Sequence, residues 1–249
     1  MFLYFAARQR ILGRRPLSWV APSPRSLRWR SAPTPLAVSV ASGGLSVWYE
    51  ISHRLSYAPI EAFRPRPGWT VVDVGANIGA YSVWAASSMG SSGRIIAIEP
   101  NPVSHACLLR SLQHLSVSHV AIQAACGDAA GEVILHFEPG YTVSSSVVPF
   151  AAGSTSVPVA MRRLDDILRE EGVEHIDVMK IDVEGAEELV LAGAGDALGR
   201  TERVILETDG TTEAGVRTLM IAQGFVEAHE EDEHWAVAGL KLLAFQRER

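Results

Sequence analysis

Thr70-Val71-Val72-Asp73-Val74-Gly75-Ala76-Asn77-Ile78-Gly79-Ala80-Tyr81 carries the reading of the fold. Residues 71–74 form a short, β-branched apolar run, the composition of a buried parallel strand, with Asp73 near its carboxyl end. Gly75 and Gly79 bracket a tight turn, and Ala80–Met89 has the pattern of a helix. Strand, glycine turn and helix N-terminus together make a cradle in which backbone N–H groups can approach a ligand. The turn is not the Gly-x-Gly-x-x-Gly of a pyrophosphate site, because its middle glycine is missing and an acid precedes it. An acid beside a glycine turn suits a cationic or amine-bearing ligand, and S-adenosylmethionine offers both an ammonium and a sulfonium. Any parallel βα unit can carry Asp-x-Gly-x-x-x-Gly, so the flanking segments decide.

Downstream the pattern repeats. Arg94-Ile95-Ile96-Ala97-Ile98-Glu99 is a second buried strand ending in an acid, followed by Pro100-Asn101-Pro102 and an apolar-periodic helix over residues 103–115. Glu99 lies 24 residues after Gly75, where a carboxylate can accept both hydrogen bonds of a ribose diol. A third strand, residues 119–124, leads to Cys126-Gly127-Asp128, and Asp128 could accept from an adenine amino group or serve as a simple turn residue. The rhythm then breaks. Residues 132–137 and 157–161 have strand patterns, and Tyr141-Thr142-Val143-Ser144-Ser145-Ser146 between them is read as a hairpin-like insertion near the mouth of the sheet. Residues 164–170 are helical.

The fourth strand is Ile176-Asp177-Val178-Met179-Lys180-Ile181-Asp182, turning through Val183-Glu184-Gly185-Ala186-Glu187 into a helix. Lys180 and Asp182 are two apart and share one face of the strand. Charges at the end of an apolar strand are costly to desolvate unless paired, so they are candidates for chemistry as well as for a structural ion pair. A fifth strand, residues 203–208, again ends in an acid, Glu207. A helix over residues 211–223, with Thr211 or Thr212 as its cap, precedes closing strands at 225–227 and 240–245. His229-Glu230-Glu231-Asp232-Glu233-His234 between them reads as a solvated acidic hairpin loop rather than a metal site.

Composition narrows the classes. The 249 residues suffice for one large α/β domain. Two cysteines, Cys107 and Cys126, make no disulfide framework or zinc site and read as buried small residues. Residues 1–49 hold seven arginines and no acid, which leaves 15 of the 22 bases against all 28 acids in the remainder. An acidic body of that kind is not a nucleic-acid binder. No apolar run approaches the ~18 residues of a membrane span. Residues 1–42 are read as a poorly ordered Arg/Pro/Ser-rich extension, residues 43–249 as the folded domain. The expected compartment is cytoplasmic, with an organelle address in the Arg-rich N-terminus as the alternative.

Buried strands with an acid or glycine at the carboxyl end, each followed by a helix, predict a doubly wound Rossmann-like sheet with ligands along those ends. Val72-Asp73-Val74-Gly75-Ala76-Asn77-Ile78-Gly79, Glu99-Pro100-Asn101-Pro102, Leu164-Asp165-Asp166 and Lys180-Ile181-Asp182-Val183-Glu184-Gly185-Ala186-Glu187 together resemble the FkbM family of S-adenosylmethionine-dependent methyltransferases, from about Trp48 onward. The resemblance implies a class I methyltransferase fold, with a seven-stranded, mostly parallel sheet and an antiparallel last strand. It implies O-methylation of a small-molecule, natural-product or sugar hydroxyl. It assigns the donor to Asp73, Gly75, Ala76, Asn77, Gly79, Glu99, Pro100, Asn101, Gly127 and Asp128. Asp182 and Glu184 would face the transfer site, with Lys180 paired to one of them. The resemblance would place a histidine after the fifth strand; here the run is Glu207-Thr208-Asp209-Gly210, so no histidine is assigned as base. No resident metal is expected, although Asp182, Glu184 and Glu207 could between them hold a divalent cation. The competing classes are a non-catalytic cofactor-binding or partner protein and, less favoured, a nicotinamide oxidoreductase.

Overall fold

The computed structural model describes residues 25–27, 36–38, 57–58, 60–138, 141–146, 155–208, 210–232 and 240–248. A small antiparallel ribbon, β1 (Arg25–Leu27) with β2 (Leu36–Val38), precedes the main body. Residues 43–56 lie outside the described residues. A single 3₁₀ turn, Glu61–Phe63, buries Phe63 and delivers the chain to the first strand of the large sheet.

That sheet has seven strands. β3 (Thr70–Val74), β4 (Arg94–Ile98) and β5 (Ser118–Ile122) form one half, and β10 (Val178–Ile181) and β11 (Arg203–Thr208) continue on the other side of β3. β12 (Phe225–Asp232) and β13 (Lys241–Arg247) complete it, in the order β12-β13-β11-β10-β3-β4-β5. β3, β4, β5, β10 and β11 pair in parallel, and β13 runs antiparallel to both its neighbours. Strand order reverses between β3 and β10, the place where open α/β sheets bind ligands.

Strand alternation builds two cores. Val71, Ile95, Val178 and Ile205 face α1 (Ala80–Met89) and α2 (Pro102–Leu112). Val72, Val74, Ile96, Ile98, Met179, Ile181, Val204 and Leu206 face α3 (Leu164–Glu170), α4 (Glu187–Ala192), α5 (Gly195–Gly199) and α6 (Glu213–Ala222). The result is the three-layer, doubly wound architecture of the class I methyltransferases, as the motifs implied. Of two helices expected from the sequence, one starts at a side-chain cap and the other does not. Asn101 caps α2 by accepting from the N–H groups of Val103 and Ser104, with Pro102 at the first helical position. α6 departs from expectation, because Thr212 at its cap position makes no side-chain capping bond.

The interruption of the rhythm is a second sheet. β6 (Ala125–Cys126), β7 (Gly131–Glu138), β8 (Tyr141–Ser146) and β9 (Thr155–Arg162) lie in the order β6-β9-β7-β8 around Ala125, Leu135, Phe137 and Val159. The acidic run at 229–234 corrects the loop expectation over its first half. His229 to Asp232 continue β12 and pair with β13, and Lys241 and Arg217 both form ion pairs with Glu230 there. No described helix is long and apolar enough to cross a membrane.

Candidate active site

The turn after β3 is shaped by contacts that only glycine permits. Gly75 has φ +74°, and a Cβ there would lie 1.8 Å from the carbonyl oxygen of Asp182 on the neighbouring chain path. The N–H groups of Gly75 and Ala76 both donate to the Ile98 carbonyl, which ties the turn to β4. Gly79, φ +86°, starts α1 against Leu108. Asn77 also sits in the left-handed region, at φ +51°, a conformation asparagine tolerates better than most residues.

Gly75 and Asn77 line a cleft of about 620 Å³, counting its open mouth, whose other walls are Val74, Ile98, Glu99, Pro100, Ala124, Ala125, Cys126, Asp182, Val183, Glu184 and Ala186. Glu99 is fixed by the backbone: one carboxylate oxygen accepts from the Asn77 N–H at 2.8 Å and the other from the Asn101 N–H at 2.8 Å. Each oxygen keeps a further lone pair. Burial pushes the Glu99 carboxyl up to about 7 against the pull of those N–H groups and of Lys180. The Asn77 side-chain oxygen is buried without a hydrogen-bond partner. An apolar slot beside a pinned carboxylate and an unpartnered amide oxygen fits a nucleoside, with the base in the slot and the diol at Glu99.

Several expected donor residues support the cleft from behind. Asn101 is fully buried as the α2 cap, and Ala76 and Gly79 shape the turn. Asp73 is fully buried: its carboxylate accepts from Ser82 Oγ at 2.7 Å and lies 3.3 Å from Lys180 Nζ, so its charge is met within the protein. Gly127 packs on Met161, and Asp128 is exposed; neither is on the wall, where Ala124, Ala125 and Cys126 stand instead. The reason is β6, which pairs with β9 and turns its own residues to the cleft. Burial pushes the Cys126 thiol up to about 12, which leaves it an inert apolar surface at neutral pH.

Across the cleft lies a cluster of charges. The β3–β10 register sets Lys180 directly beside Asp73. Lys180 is 3% exposed, donates to the Gly75 carbonyl at 2.7 Å and lies 3.5 Å from Asp182 Oδ2. Burial pulls its ammonium down, but Asp73, Asp182 and Glu207 outweigh that and hold it above the ordinary lysine value. Tyr57, which the sequence reading did not single out, closes the cluster. Its hydroxyl is 2.9 Å from Asp182 Oδ2 and 3.0 Å from Glu207 Oε2, and its ring packs under Lys180 and edge-on to Tyr81. Its only sequence signal was an aromatic just ahead of the turn to β3. Glu184 stands exposed on the lip at φ +54°, a strained conformation for a glutamate. Asp182 and Glu207 thus meet at a phenol, and among the described residues no three His, Cys, Asp or Glu side chains are arranged to hold a metal.

A sequence profile described as the Methyltransferase FkbM domain matches residues 73–239. The chain is 32% identical over 215 residues to the 31-O-demethyl-FK506 methyltransferase FkbM of Streptomyces tacrolimicus, covering 73% of this chain and 82% of that one. It is 30% identical over 214 residues to the methyltransferase sdnD of Sordaria araneosa, covering 72% and 81%. A provisionally assigned S-adenosylmethionine-dependent methyltransferase of Streptococcus mutans superposes with a TM-score of 0.53 at 12% identity, over 92% of this chain and 56% of that one, which shows the shared fold. With the glycine turn, the Glu99 wall and the Lys180–Asp182 strand end in place around one cleft, the profile match over residues 73–239 makes this chain a member of the FkbM methyltransferase family.

Proposed function

We propose that this methyltransferase moves a methyl group from S-adenosylmethionine to a hydroxyl oxygen of a small molecule, natural product or sugar, with Asp182 as the base or orienting group for that hydroxyl. The observation that carries the reading is the shared cleft. It holds a nucleoside-type wall at Glu99 and Asn77 on one side, and on the other Asp182, whose Oδ2 is engaged by Tyr57 and Lys180 among the described residues. The relative in Streptomyces tacrolimicus is named for transfer at the 31-O position of its substrate, which favours oxygen as the acceptor atom.

The bound donor supplies an electrophilic methyl group on a sulfonium centre. The chain's own residues do the rest. Glu99, ionised above about pH 7, accepts the ribose hydroxyls while Asn77 and Asn101 hold it in place. Ile98, Ala124, Ala125 and Cys126 exclude water around the base. Gly75 lets the turn approach without a side chain, and Glu184 and Asp182 present negative charge to a cationic centre. Asp182 Oδ1 takes the proton of the acceptor hydroxyl, and Lys180 stabilises the carboxylate while it waits. Alignment and desolvation account for most of the rate, because the donor is intrinsically reactive. Acceptor choice falls to residues 43–63 and to the insertion around β8, the segments outside the repeating strand–helix units of the main sheet.

The test is calorimetric titration of the full chain with S-adenosylmethionine, S-adenosylhomocysteine and NAD, followed by release of S-adenosylhomocysteine with a panel of macrolide and sugar hydroxyl acceptors. Micromolar-range binding of the first two ligands, lost in Glu99→Ala, and turnover lost in Asp182→Asn with donor affinity retained, support the reading. Binding of NAD alone by folded protein, or undiminished turnover in Asp182→Asn, overturns it.

A further inference from the structure

Tyr57 poses a problem of proton arithmetic. Its hydroxyl lies 2.9 Å from Asp182 Oδ2 and 3.0 Å from Glu207 Oε2, yet a phenol has one proton to donate. Both distances are those of full hydrogen bonds, so the two carboxylates compete for one donor, or one of them carries a proton of its own. The geometry is not incidental packing. The residue is 7% exposed and its ring is held between Lys180 Nζ, 5.3 Å away, and Tyr81 on α1, 5.6 Å away. β10 and β11 run in parallel register up to Ile181 and Leu206, so Asp182, just past the end of β10, and Glu207, still within β11, stand side by side, and Tyr57 spans them from a segment more than 100 residues away in sequence.

The geometry points to Tyr57 as a positioning residue that fixes the Asp182 carboxylate with Oδ1 toward the cleft and couples its charge state to that of Glu207. This rests on the reading of Asp182 as the acceptor's base. When Tyr57 donates to Asp182, the carboxylate is oriented and its charge is stabilised. Once Asp182 has taken a proton from the acceptor, it no longer needs that donor, and the phenolic O–H turns to Glu207. No bond to Tyr57 is broken in the exchange; the transferred proton ends on Asp182 and only the phenolic O–H rotates. The other charges facing Asp182 are Lys180 on the same strand, Asp73 beside it on β3, Glu187 on α4 and Glu184 on the adjoining lip. None of them touches the Tyr57 hydroxyl among the bonds of the described residues.

The experiment is carbon-detected NMR titration of Asp182 in the full chain, uniformly labelled at aspartate carboxyls and free of donor, with the resonance assigned by its loss in Asp182→Asn. Tyr57→Phe keeps the ring and its packing but removes the donor, so the Asp182 midpoint rises by about one pH unit. Glu207→Gln removes a competing negative acceptor, so the midpoint falls, and by less once Tyr57 is already Phe. A purely structural tyrosine leaves the midpoint where it was in Tyr57→Phe and leaves the Glu207→Gln shift the same size in both backgrounds, and that result, with folding verified by circular dichroism, overturns the assignment. Calorimetry with S-adenosylmethionine runs in parallel. Tyr57 is not on the donor wall, so Tyr57→Phe retains wild-type donor affinity. Absence of donor binding in folded wild type would sink the methyltransferase cleft itself, a failure the donor-free titration reads separately.

Discussion

The two walls of the cleft are built on different principles. The donor wall, Gly75 to Asn77 with Glu99 to Asn101, is made by backbone: N–H groups pin a carboxylate, and positive φ angles bend the turn. Its partners lie within about two dozen residues of one another along β3, β4 and their loops. The opposite wall is made by charged side chains, Asp73, Lys180, Asp182 and Glu207 with Tyr57 across them, from segments separated by 125 and 150 residues. The first wall is a shape and tolerates no added atom. The second is a charge balance and tolerates no subtracted one.

Substitutions can break that contrast at either side. The largest effect is expected from Gly75→Ala, where a methyl group would meet the Asp182 backbone at a φ that alanine resists. A loss of more than about 4 kcal/mol in urea unfolding is expected, because neither backbone can retreat from the sheet. Lys180→Met comes next. It strands the fully buried Asp73, and breaking such a pair costs about 3–5 kcal/mol. Lys180→Met combined with Asp73→Asn should recover much of that loss, since the uncompensated charge is the cost; a double variant no better than the single would show that Lys180 acts through packing.

Glu99→Gln sharpens the comparison from the donor side. Loss of a charged acceptor should weaken donor binding by about 10- to 100-fold with little change in fold. The Glu99 carboxyl rises from 4.5 to about 7 on folding, so the native protein binds the extra proton in that window. Its contribution therefore lowers stability as pH climbs from about 4.5 to 7, and the loss is complete above 7. The Gln variant should flatten that slope of stability against pH. Donor binding to wild type should run the other way, weakening by up to about tenfold from pH 8 to 6 as Glu99 protonates. The smallest effect is Glu184→Gly. Relief of the left-handed strain should stabilise the fold by about 0.5–1 kcal/mol, while turnover falls if the lip carboxylate faces the reaction.

The same contrast explains what could be read before folding. β3, the glycine turn, α1 and β4 follow from β-branched runs and glycine spacing, all short-range signals, and their observed bounds agree closely with the reading; the helix read over residues 103–115 spans Pro102–Leu112, and Asn101, read as a donor-binding residue, caps it. Glu99 on the cleft wall was legible for the same reason. Gly127 and Asp128 were chosen by position after a strand. The pairing of β6 with β9, Ala125 beside Met161 and Cys126 beside Arg162, leaves Ala125 and Cys126 on the wall in their place. Asp73 was legible as important, but its partner was not, because nothing along the chain says that residue 180 will be its neighbour in register.

Local chemistry therefore settles the alternation of strands and helices, the glycine turn and the Glu99 carboxylate at a strand end, since each depends on backbone conformation over a few residues. Which charges neutralise one another is decided only when the sheet assembles. Burial makes an unpaired carboxylate or ammonium expensive, and the parallel register of β3, β10 and β11 selects Asp73 for Lys180 and brings Asp182 and Glu207 together beneath the hydroxyl of Tyr57.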